Sequence, residues 1–255
     1  MFTGLKGKSV LITGAGGGLG HALVAAFSAE GAAVTGADVP GADLSGLSLK
    51  SQIAFDLRDD AQTRAASEAL VAQGLVPDIL INNAGWTRLE VMADMTPDKA
   101  RDELMLNLVH VVNFTIPLVK AMVARGSGSL VFISSVNALT HVGNPAYAAA
   151  KAGINAYARG IAVEHGRHGV RCNVVCPGSI RTPAWDHRIA RDPSIPEKLK
   201  RVYPLERIVT PEEVARAVVF LASDLASGIT GAVLPVDGGL TAGNKPFIDS
   251  ILGGS

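Results

Sequence analysis

The stretch Ser9-Val10-Leu11-Ile12-Thr13-Gly14-Ala15-Gly16-Gly17-Gly18-Leu19-Gly20 indicates the fold of the whole chain. It begins with an apolar run without polar alternation, which is typical of a strand buried on both faces. A glycine-rich turn follows, and Leu23, Val24 and Phe27 then recur at helical spacing. A strand, a glycine-rich turn and a helix N-terminus together form a phosphate cradle. The spacing departs from G-x-G-x-x-G because Leu19 stands where the last glycine would fall, so an ordinary β-to-α turn remains the alternative.

The second predicted strand, residues 32–38, ends in the carboxylate of Asp38. An acid at this place can bind the two adenosine ribose hydroxyls of NAD and repel the 2′-phosphate of NADP. Neither the glycine-rich turn nor the segment 34–43 contains Arg or Lys that would bind that phosphate. The chain is therefore predicted to use NAD, with a turn-capping role as the alternative for Asp38.

Strands alternate with helices along the rest of the chain, which predicts a Rossmann-type α/β fold. We expect one domain, residues 1–255, with a doubly wound parallel sheet of about seven strands and helices on both faces. The predicted strands are 9–13, 32–38, 52–56, 78–82, 129–135, 170–176 and 232–236, and the main helices are 61–72, 97–125 (kinked at Pro117), 146–164 and 211–221. A proline-rich lid at about 178–210 and a C-terminal tail at about 240–255 complete the chain.

Composition excludes several classes of partner. The formal net charge is zero and no Lys/Arg cluster occurs, which argues against a nucleic acid or an acidic membrane as partner. No apolar run approaches the roughly 20 residues of a membrane span. Cys172 and Cys176 lie four residues apart on one predicted strand, roughly 13 Å and too far for a disulfide. We expect a cytoplasmic protein without a metal site.

Tyr147-Ala148-Ala149-Ala150-Lys151 is the stretch that carries chemistry. Four residues are about one helical turn, so the phenol and the ammonium share one face. Free tyrosine titrates near ~10, and a nearby positive charge lowers that pKa, so Tyr147 is a candidate general acid or base. A buried Tyr beside a surface Lys is the alternative. Two further candidates are Asn107, a poor residue for mid-helix, and Asp56, a possible adenine contact at the third strand's end.

These landmarks together resemble the short-chain dehydrogenase/reductase family over about residues 7–239. The matching residues are Thr13, Gly14, Gly18, Gly20, Asn82-Asn83-Ala84-Gly85, Asn107, Ser135, Tyr147, Lys151, Pro177-Gly178 and Asp237-Gly238-Gly239. The resemblance implies nicotinamide-dependent alcohol/carbonyl chemistry on a small substrate, and a homotetramer. Twelve positions separate Ser135 from Tyr147, one fewer than is common in the family, so Ser134 is the alternative to Ser135.

The resemblance also implies a role for each matching residue. Tyr147 exchanges a proton with the substrate oxygen, Lys151 binds the nicotinamide ribose and depresses the Tyr147 pKa, and Ser135 hydrogen-bonds the substrate oxygen. Asn107 bends its helix and holds a water for a proton relay. Besides Asp38, Tyr147 and Lys151, the expected cofactor contacts are Thr13, Gly14, Gly18, Leu19, Gly20, Asp56, Leu57, Asn83, Ala84, Gly85, Pro177, Gly178, Ile180 and Thr182.

The substrate pocket is predicted from polar and aromatic residues near the nicotinamide end. The expected contacts are Trp86, Asn137, Asn144, Arg181 and Trp185, with His141 and His187 nearby, and the alternative is that half of them face solvent. Tryptophan mixed with amides and a cation favours a small polar substrate, such as a sugar, polyol or sugar acid. The alternatives are a 3-oxoacyl or general ketone reductase, and a non-catalytic NAD(H)-binding sensor.

Overall fold

The computed structural model describes residues 3–87, 91–182, 185 and 189–253. Within these residues, seven parallel strands form one sheet in the order β3-β2-β1-β4-β5-β6-β7. The strands are β1 (Ser9–Thr13), β2 (Ala33–Asp38), β3 (Ser51–Ala54), β4 (Ile79–Asn82), β5 (Gly128–Ile133), β6 (Val170–Pro177) and β7 (Val233–Val236). The predicted parallel α/β sheet with surrounding helices is confirmed.

The strand order reverses beside β1. The chain builds β2 and β3 on one side of β1 and then crosses to β4 on the other side. A crevice opens outside the carboxyl ends of the strands at such a reversal, and ligands of open α/β sheets bind there. Thr13 at the end of β1 and Asn82 at the end of β4 therefore mark the expected position of the site.

The helices cover both faces of this sheet. The helices of the described residues are α1 (Gly18–Ala29), α2 (Asp60–Ala72), α3 (Pro97–Leu104), α4 (His110–Arg125), α5 (Pro145–His165), α6 (Ile195–Val202), α7 (Pro211–Ala222) and α8 (Lys245–Phe247), and those that pack against the sheet are α1, α2, α4, α5 and α7. Asp59 caps α2, because its carboxylate accepts hydrogen bonds from the N–H groups of Ala61 and Gln62.

Two hydrophobic cores lie on opposite faces of the sheet. One core joins Val10 and Ile12 of β1 to α1 and α7, and the other joins Leu11 to α2, α4 and α5. Successive strand side chains point to opposite faces, so a strand covered on both sides needs an apolar residue at every position. This requirement explains the unbroken apolar run of β1.

A single helical segment, Pro97–Arg125, includes α3, a π-helical turn (Met105–Val109) and α4. It is long and apolar enough by composition to span a membrane, but Phe114, Leu118 and Met122 pack in the core beneath the sheet. The sequence predicts a kink at Pro117, whereas α4 continues through Pro117 and the irregular turn surrounds Asn107.

Two strand ends, those of β3 and β5, differ from the prediction by two residues. β3 ends at Ala54 because the chain turns toward α2, and the Asp56 N–H donates to the Gln62 side chain. β5 ends at Ile133, and Ser135 begins a 3₁₀ turn, Val136–Ala138, that its own side chain caps. Asp56 and Ser135 thus follow their strands, where the carboxyl edge of the sheet opens.

Candidate active site

A cavity of about 430 Å³ lies at the carboxyl ends of β1, β2 and β4. Its lining includes the glycine-rich turn and the segment after β4, in the residues Gly14, Gly17, Gly18, Leu19, Gly20, Asp38, Val39, Asp56, Leu57, Arg58, Asn83, Ala84, Gly85, Trp86 and Leu106. A larger cavity, about 660 Å³, lies between α2 and the strands β1 to β3 and contains none of the predicted site residues. The smaller cavity is the candidate cofactor groove.

Close approaches of the backbone explain the glycines of the turn. Gly14 has a φ of +67°, and a Cβ there would lie 2.9 Å from the Ala84 Cα. A Cβ on Gly20 would lie 2.1 Å from the Gly14 carbonyl oxygen. A Cβ on Gly18 would meet the Thr182 methyl at 3.0 Å, so the structure brings Thr182 to the turn.

Asp38 lies beside the glycine-rich turn at the end of β2. Its Oδ2 accepts the Gly16 N–H at 2.7 Å, and its Oδ1 accepts the Val39 N–H at 2.8 Å. Both oxygens keep free lone pairs, because a carboxylate oxygen accepts two hydrogen bonds. The geometry fits the recognition of two vicinal ribose hydroxyls.

Thr13 and Asn83 join the ends of β1 and β4. The Thr13 hydroxyl accepts the N–H groups of Asn83 and Ala84, at 3.1 and 3.0 Å. The Asn83 amide donates to the carbonyl oxygens of Thr13 and Gly14, at 2.9 and 3.0 Å. These two side chains therefore hold together the segments that follow β1 and β4, at the bottom of the groove.

Arg58 is a cation at the groove that the sequence analysis does not predict, because it lies outside the glycine-rich turn and the segment 34–43. Its guanidinium forms a two-pronged contact with Asp56, with the closest approach at 2.7 Å. The hydrogen bond from Arg58 is the main reason that the pKa of the Asp56 carboxyl lies below its ordinary value. Asp56 and Leu57 line the groove as predicted, but Asp56 has a protein partner.

The segment after β6 contains residues that are predicted to contact the nicotinamide. The Gly178 N–H donates to the Val236 carbonyl, and Ile180 forms an isolated parallel bridge with Val209. A Cβ on Gly178 would lie 3.1 Å from the Asp237 Cα, which explains why glycine follows Pro177. Within the described residues, the predicted lid at about 178–210 contains α6.

Ser135 and Tyr147 come together as predicted. A hydrogen bond with Ser135 favours the phenolate of Tyr147, but desolvation dominates and raises the pKa of Tyr147 to about 12. Ser135 Oγ also contacts the Asn137 Oδ1 at 3.1 Å. The Ser134 hydroxyl instead donates to the Lys151 carbonyl oxygen at 3.1 Å. The structure therefore places Ser135, rather than Ser134, at the phenol.

Lys151 is buried next to the Tyr147 ring. Its Nζ lies 5.6 Å from the centre of the Tyr147 ring and donates to the Ile133 carbonyl at 2.9 Å. The side chain is 5% exposed, and desolvation lowers its pKa to about 8. Desolvation is the main reason that the Tyr147 pKa is raised. The lowering of that pKa by Lys151 stays a prediction.

Asn107 is fully buried in the π-helical turn. Its amide nitrogen donates to the Trp86 carbonyl at 2.9 Å and to a Glu103 carboxyl oxygen at 3.0 Å. Its amide oxygen accepts the Trp86 N–H at 3.3 Å. A Cβ on Gly85 would lie 3.0 Å from that oxygen and 3.4 Å from the Lys151 Nζ. Asn107, Gly85 and Lys151 are therefore neighbours, and the helix is irregular where the prediction places a bend.

The predicted substrate residues occupy different environments. The Asn137 amide donates to the Gly143 carbonyl, and Asn144 is a buried N-cap of α5 that accepts the Tyr147 N–H at 3.3 Å. Trp86 is 59% exposed at the groove, and Arg181 is exposed, with its backbone N–H bonded to Val209. The Trp185 N–H donates to the Thr182 carbonyl, His141 is exposed, and His187 lies outside the described residues.

This fold and site belong to a known class of oxidoreductase. The family described as enoyl-(acyl carrier protein) reductase matches residues 14–241. An uncharacterized oxidoreductase of Schizosaccharomyces pombe, C922.06, is 41% identical over 97% of this chain and 96% of its own. A solved short-chain dehydrogenase/reductase from Burkholderia thailandensis is 40% identical, with a TM-score of 0.88, over 98% of this chain and 99% of its own. The chain belongs to the short-chain dehydrogenase/reductase family, whose members use nicotinamide cofactors.

Three further relatives have named activities. The Thermoplasma acidophilum aldohexose dehydrogenase is 31% identical with a TM-score of 0.84, over 95% of this chain and 97% of its own. A Burkholderia cenocepacia gluconate 5-dehydrogenase, solved with NADP and tartrate, is 30% identical with a TM-score of 0.85, over 94% and 97%. The Thermotoga maritima 3-oxoacyl-[acyl-carrier-protein] reductase FabG is 35% identical over 92% and 98%.

Proposed function

We propose that this oxidoreductase uses NAD to interconvert an alcohol and a carbonyl on a small polar substrate of the sugar, polyol or sugar acid class. The observation that carries the proposal is the meeting of Ser135 and Tyr147 beside Lys151, next to Gly85 at the margin of the groove. A proton donor, an oxygen-binding hydroxyl and a cation together are what alcohol/carbonyl exchange needs from the protein.

The chain's own residues supply the proton chemistry. When bound, NADH would supply the hydride for carbonyl reduction and NAD⁺ would accept it in alcohol oxidation. In carbonyl reduction, Tyr147 donates its proton to the carbonyl oxygen while the Ser135 hydroxyl binds the same oxygen. The raised pKa of Tyr147, about 12, keeps the phenol protonated at neutral pH and ready for this direction. In alcohol oxidation the proton moves the opposite way. Lys151 binds the nicotinamide ribose, and Asn107 holds a water that relays the proton.

Asp38 supports the choice of NAD over NADP. Its carboxylate lies at the groove beside Gly16, so a 2′-phosphate bound there would meet a fixed negative charge. Arg58 also lines the groove, but its guanidinium is paired with Asp56. NADP is bound in the related gluconate 5-dehydrogenase, so the preference of this chain needs its own measurement.

The carbohydrate substrate is supported by Trp86 at the groove and by the exposed Arg181 in the segment after β6. Trp86 offers an exposed apolar face to sugar C–H groups, and Arg181 offers a two-pronged donor to a carboxylate. Asn137 and Asn144 remain predicted contacts, with part of each amide bonded within the protein. The aldohexose and gluconate dehydrogenases among the relatives agree with this class.

A substrate panel tests the proposal. Aldoses, polyols and hydroxy acids are assayed with NAD and with NADP by absorbance of the reduced cofactor. We expect turnover of a carbohydrate with a higher kcat/KM for NAD. A higher kcat/KM with NADP contradicts the cofactor assignment. Turnover limited to lipophilic ketones or acyl thioesters favours the ketone reductase alternative, and cofactor binding without turnover favours the sensor.

We also propose a cytoplasmic homotetramer. Exposed apolar residues on two helices, Ile116 on α4 and Phe220 on α7, support association of subunits. Light scattering at micromolar concentration is expected to give about four times the chain mass of 26.3 kDa. A particle of 26.3 kDa would contradict the assembly.

A further inference from the structure

Glu103 is a buried carboxyl group next to the catalytic residues, and the function proposed above gives it no role. It lies on α3, one helical turn before Asn107, and is 3% exposed. One carboxyl oxygen accepts the Asn107 amide at 3.0 Å, and the other accepts the Thr87 hydroxyl at 3.4 Å. Two accepted hydrogen bonds are the pattern of an ionised carboxylate. A carboxylate is rarely buried unless it has such partners.

Thr87 continues this network to the helix that carries Tyr147. The Asn144 amide nitrogen donates to the Thr87 hydroxyl, and the Asn144 amide oxygen accepts the Tyr147 backbone N–H at 3.3 Å. Asn144 adopts a φ of +47°, an uncommon conformation for a residue other than glycine. The hydrogen bonds therefore run from Asn107 through Glu103, Thr87 and Asn144 to the first turn of α5.

We propose that Glu103 is a positioning residue, which holds Asn107 and the first turn of the Tyr147 helix in one arrangement through Thr87 and Asn144. The inference rests on the proposed function, because it assumes that Tyr147 and Asn107 serve the reaction. A shared carboxylate suits this role, since it accepts from both sides and needs no donor of its own. Displacements of about 1 Å in a reacting group can lower turnover by about 10²-fold, so such an anchor has a measurable effect.

The charge of Glu103 also acts on the reacting groups. Its negative charge raises the pKa of the Tyr147 phenol and of the Lys151 ammonium. Cys176 acts on both groups in the same direction, Ser135 lowers the Tyr147 pKa, and desolvation has the largest influence on each group. Removing the Glu103 charge lowers both pKa values. The pH profile of activity should therefore shift to lower pH whether Tyr147 or Lys151 controls it.

Three variants separate position from charge. Glu103→Gln keeps the side-chain shape and removes the charge. Its amide oxygen can still accept from Asn107, while its NH2 group faces Thr87, whose hydroxyl must then accept instead of donate. Glu103→Leu removes the charge and the hydrogen bonds while preserving an apolar volume. Asp102→Asn is the matched control, because it removes one negative charge from the adjacent, exposed position of the same helix. Solvent screens an exposed charge, so this control is expected to leave the pH profile unchanged.

The measurements are kcat and KM across pH with the substrate that the panel identifies, the Kd of NADH by fluorescence, and the thermal midpoint. We expect Glu103→Leu to lower kcat by about 10- to 100-fold with a much smaller change in the NADH Kd. We expect Glu103→Gln to retain most of the kcat at its optimum. Its acidic limb for alcohol oxidation should move to lower pH, while that of Asp102→Asn stays in place.

Two results would overturn the inference. One is a Glu103→Leu enzyme with the kcat of the unmodified protein. The other is a decrease of kcat, NADH affinity and thermal midpoint in both Glu103 variants while the pH profile stays unshifted. That result is expected if Glu103 only supports folding. Tyr147→Phe distinguishes a failure of the proposed function from a failure of the role of Glu103. If that variant retains full activity, the proposed function fails. If it is inactive while both Glu103 variants match Asp102→Asn, only the role of Glu103 fails.

Discussion

Replacing Lys151 with Met is expected to abolish activity and stabilise the protein. The ammonium is buried, and its pKa falls from 10.5 to about 8. At about 1.4 kcal/mol per pH unit, this fall corresponds to about 3 kcal/mol of unfavourable burial of the charge at neutral pH. The variant loses the hydrogen bond to the Ile133 carbonyl, worth about 1 kcal/mol. The net expectation is about 2 kcal/mol of added stability at pH 7.

The pH dependence identifies the cause of this gain. Below pH 8, Lys151 is protonated in the folded and the unfolded chain, and the burial penalty is fully present. Between about 8 and 10.5, the unfolded chain binds the proton and the folded chain does not, so the unfolding free energy of the unmodified protein rises with pH. The advantage of Lys151→Met should therefore shrink through this window and disappear above it.

Urea unfolding at pH 7, 9 and 10.5, at one protomer concentration, measures the difference. Lys120→Met is the control, because Lys120 is an exposed residue in α4 and its replacement should change stability by less than about 0.5 kcal/mol. A Lys151→Met protein that is no more stable at pH 7, or one whose advantage is independent of pH, would refute the reasoning.

Three further substitutions test the site. Tyr147→Phe should lower kcat by about 10²–10⁴-fold with a nearly unchanged NADH Kd, and retention of most activity would contradict the assignment. In the unmodified enzyme, alcohol oxidation should rise with pH because the Tyr147 pKa is raised to about 12, and a flat profile from pH 6 to 10 would argue against the phenol as base. Asp38→Ala should relax the preference for NAD, measured as the ratio of kcat/KM values, by removing repulsion of the 2′-phosphate; an unchanged ratio would exclude that repulsion. Arg181→Ala should raise KM strongly for a sugar acid and little for a neutral sugar, whereas equal effects would place Arg181 outside the substrate contacts.

Local rules were sufficient to predict the glycine-rich turn and its place in the sheet. The apolar run of β1 needs two covered faces, and Gly14 and Gly20 stand where a Cβ would collide with backbone atoms. These constraints act over a few residues, so a pattern of residue types expresses them. Strand ends were predicted less well, because side chains such as Gln62 and Ser135 decide them by local hydrogen bonds.

The electrostatics of the site could not be predicted in the same way. Tyr147 and Lys151 share a helix face, and from the sequence alone the expected result is a lowered phenol pKa. In the structure the Tyr147 pKa is raised, mainly by desolvation, and that burial depends on residues distant in sequence. Arg58 and Glu103 were also missed. Their partners in the site depend on how β3 and α3 pack beside the groove, and no motif in the sequence expresses that packing.

The burial of Lys151 and of Glu103 can be understood together. Burial disfavours the charged ammonium of Lys151 and lowers its pKa. The negative charge of Glu103 favours the ammonium and raises that pKa. The same charge disfavours the phenolate of Tyr147. The carboxylate therefore favours the charged form of Lys151 and the protonated form of Tyr147, in the same direction as Cys176. This arrangement suits carbonyl reduction more than alcohol oxidation near neutral pH, since reduction begins with the phenol protonated and oxidation must first remove that proton.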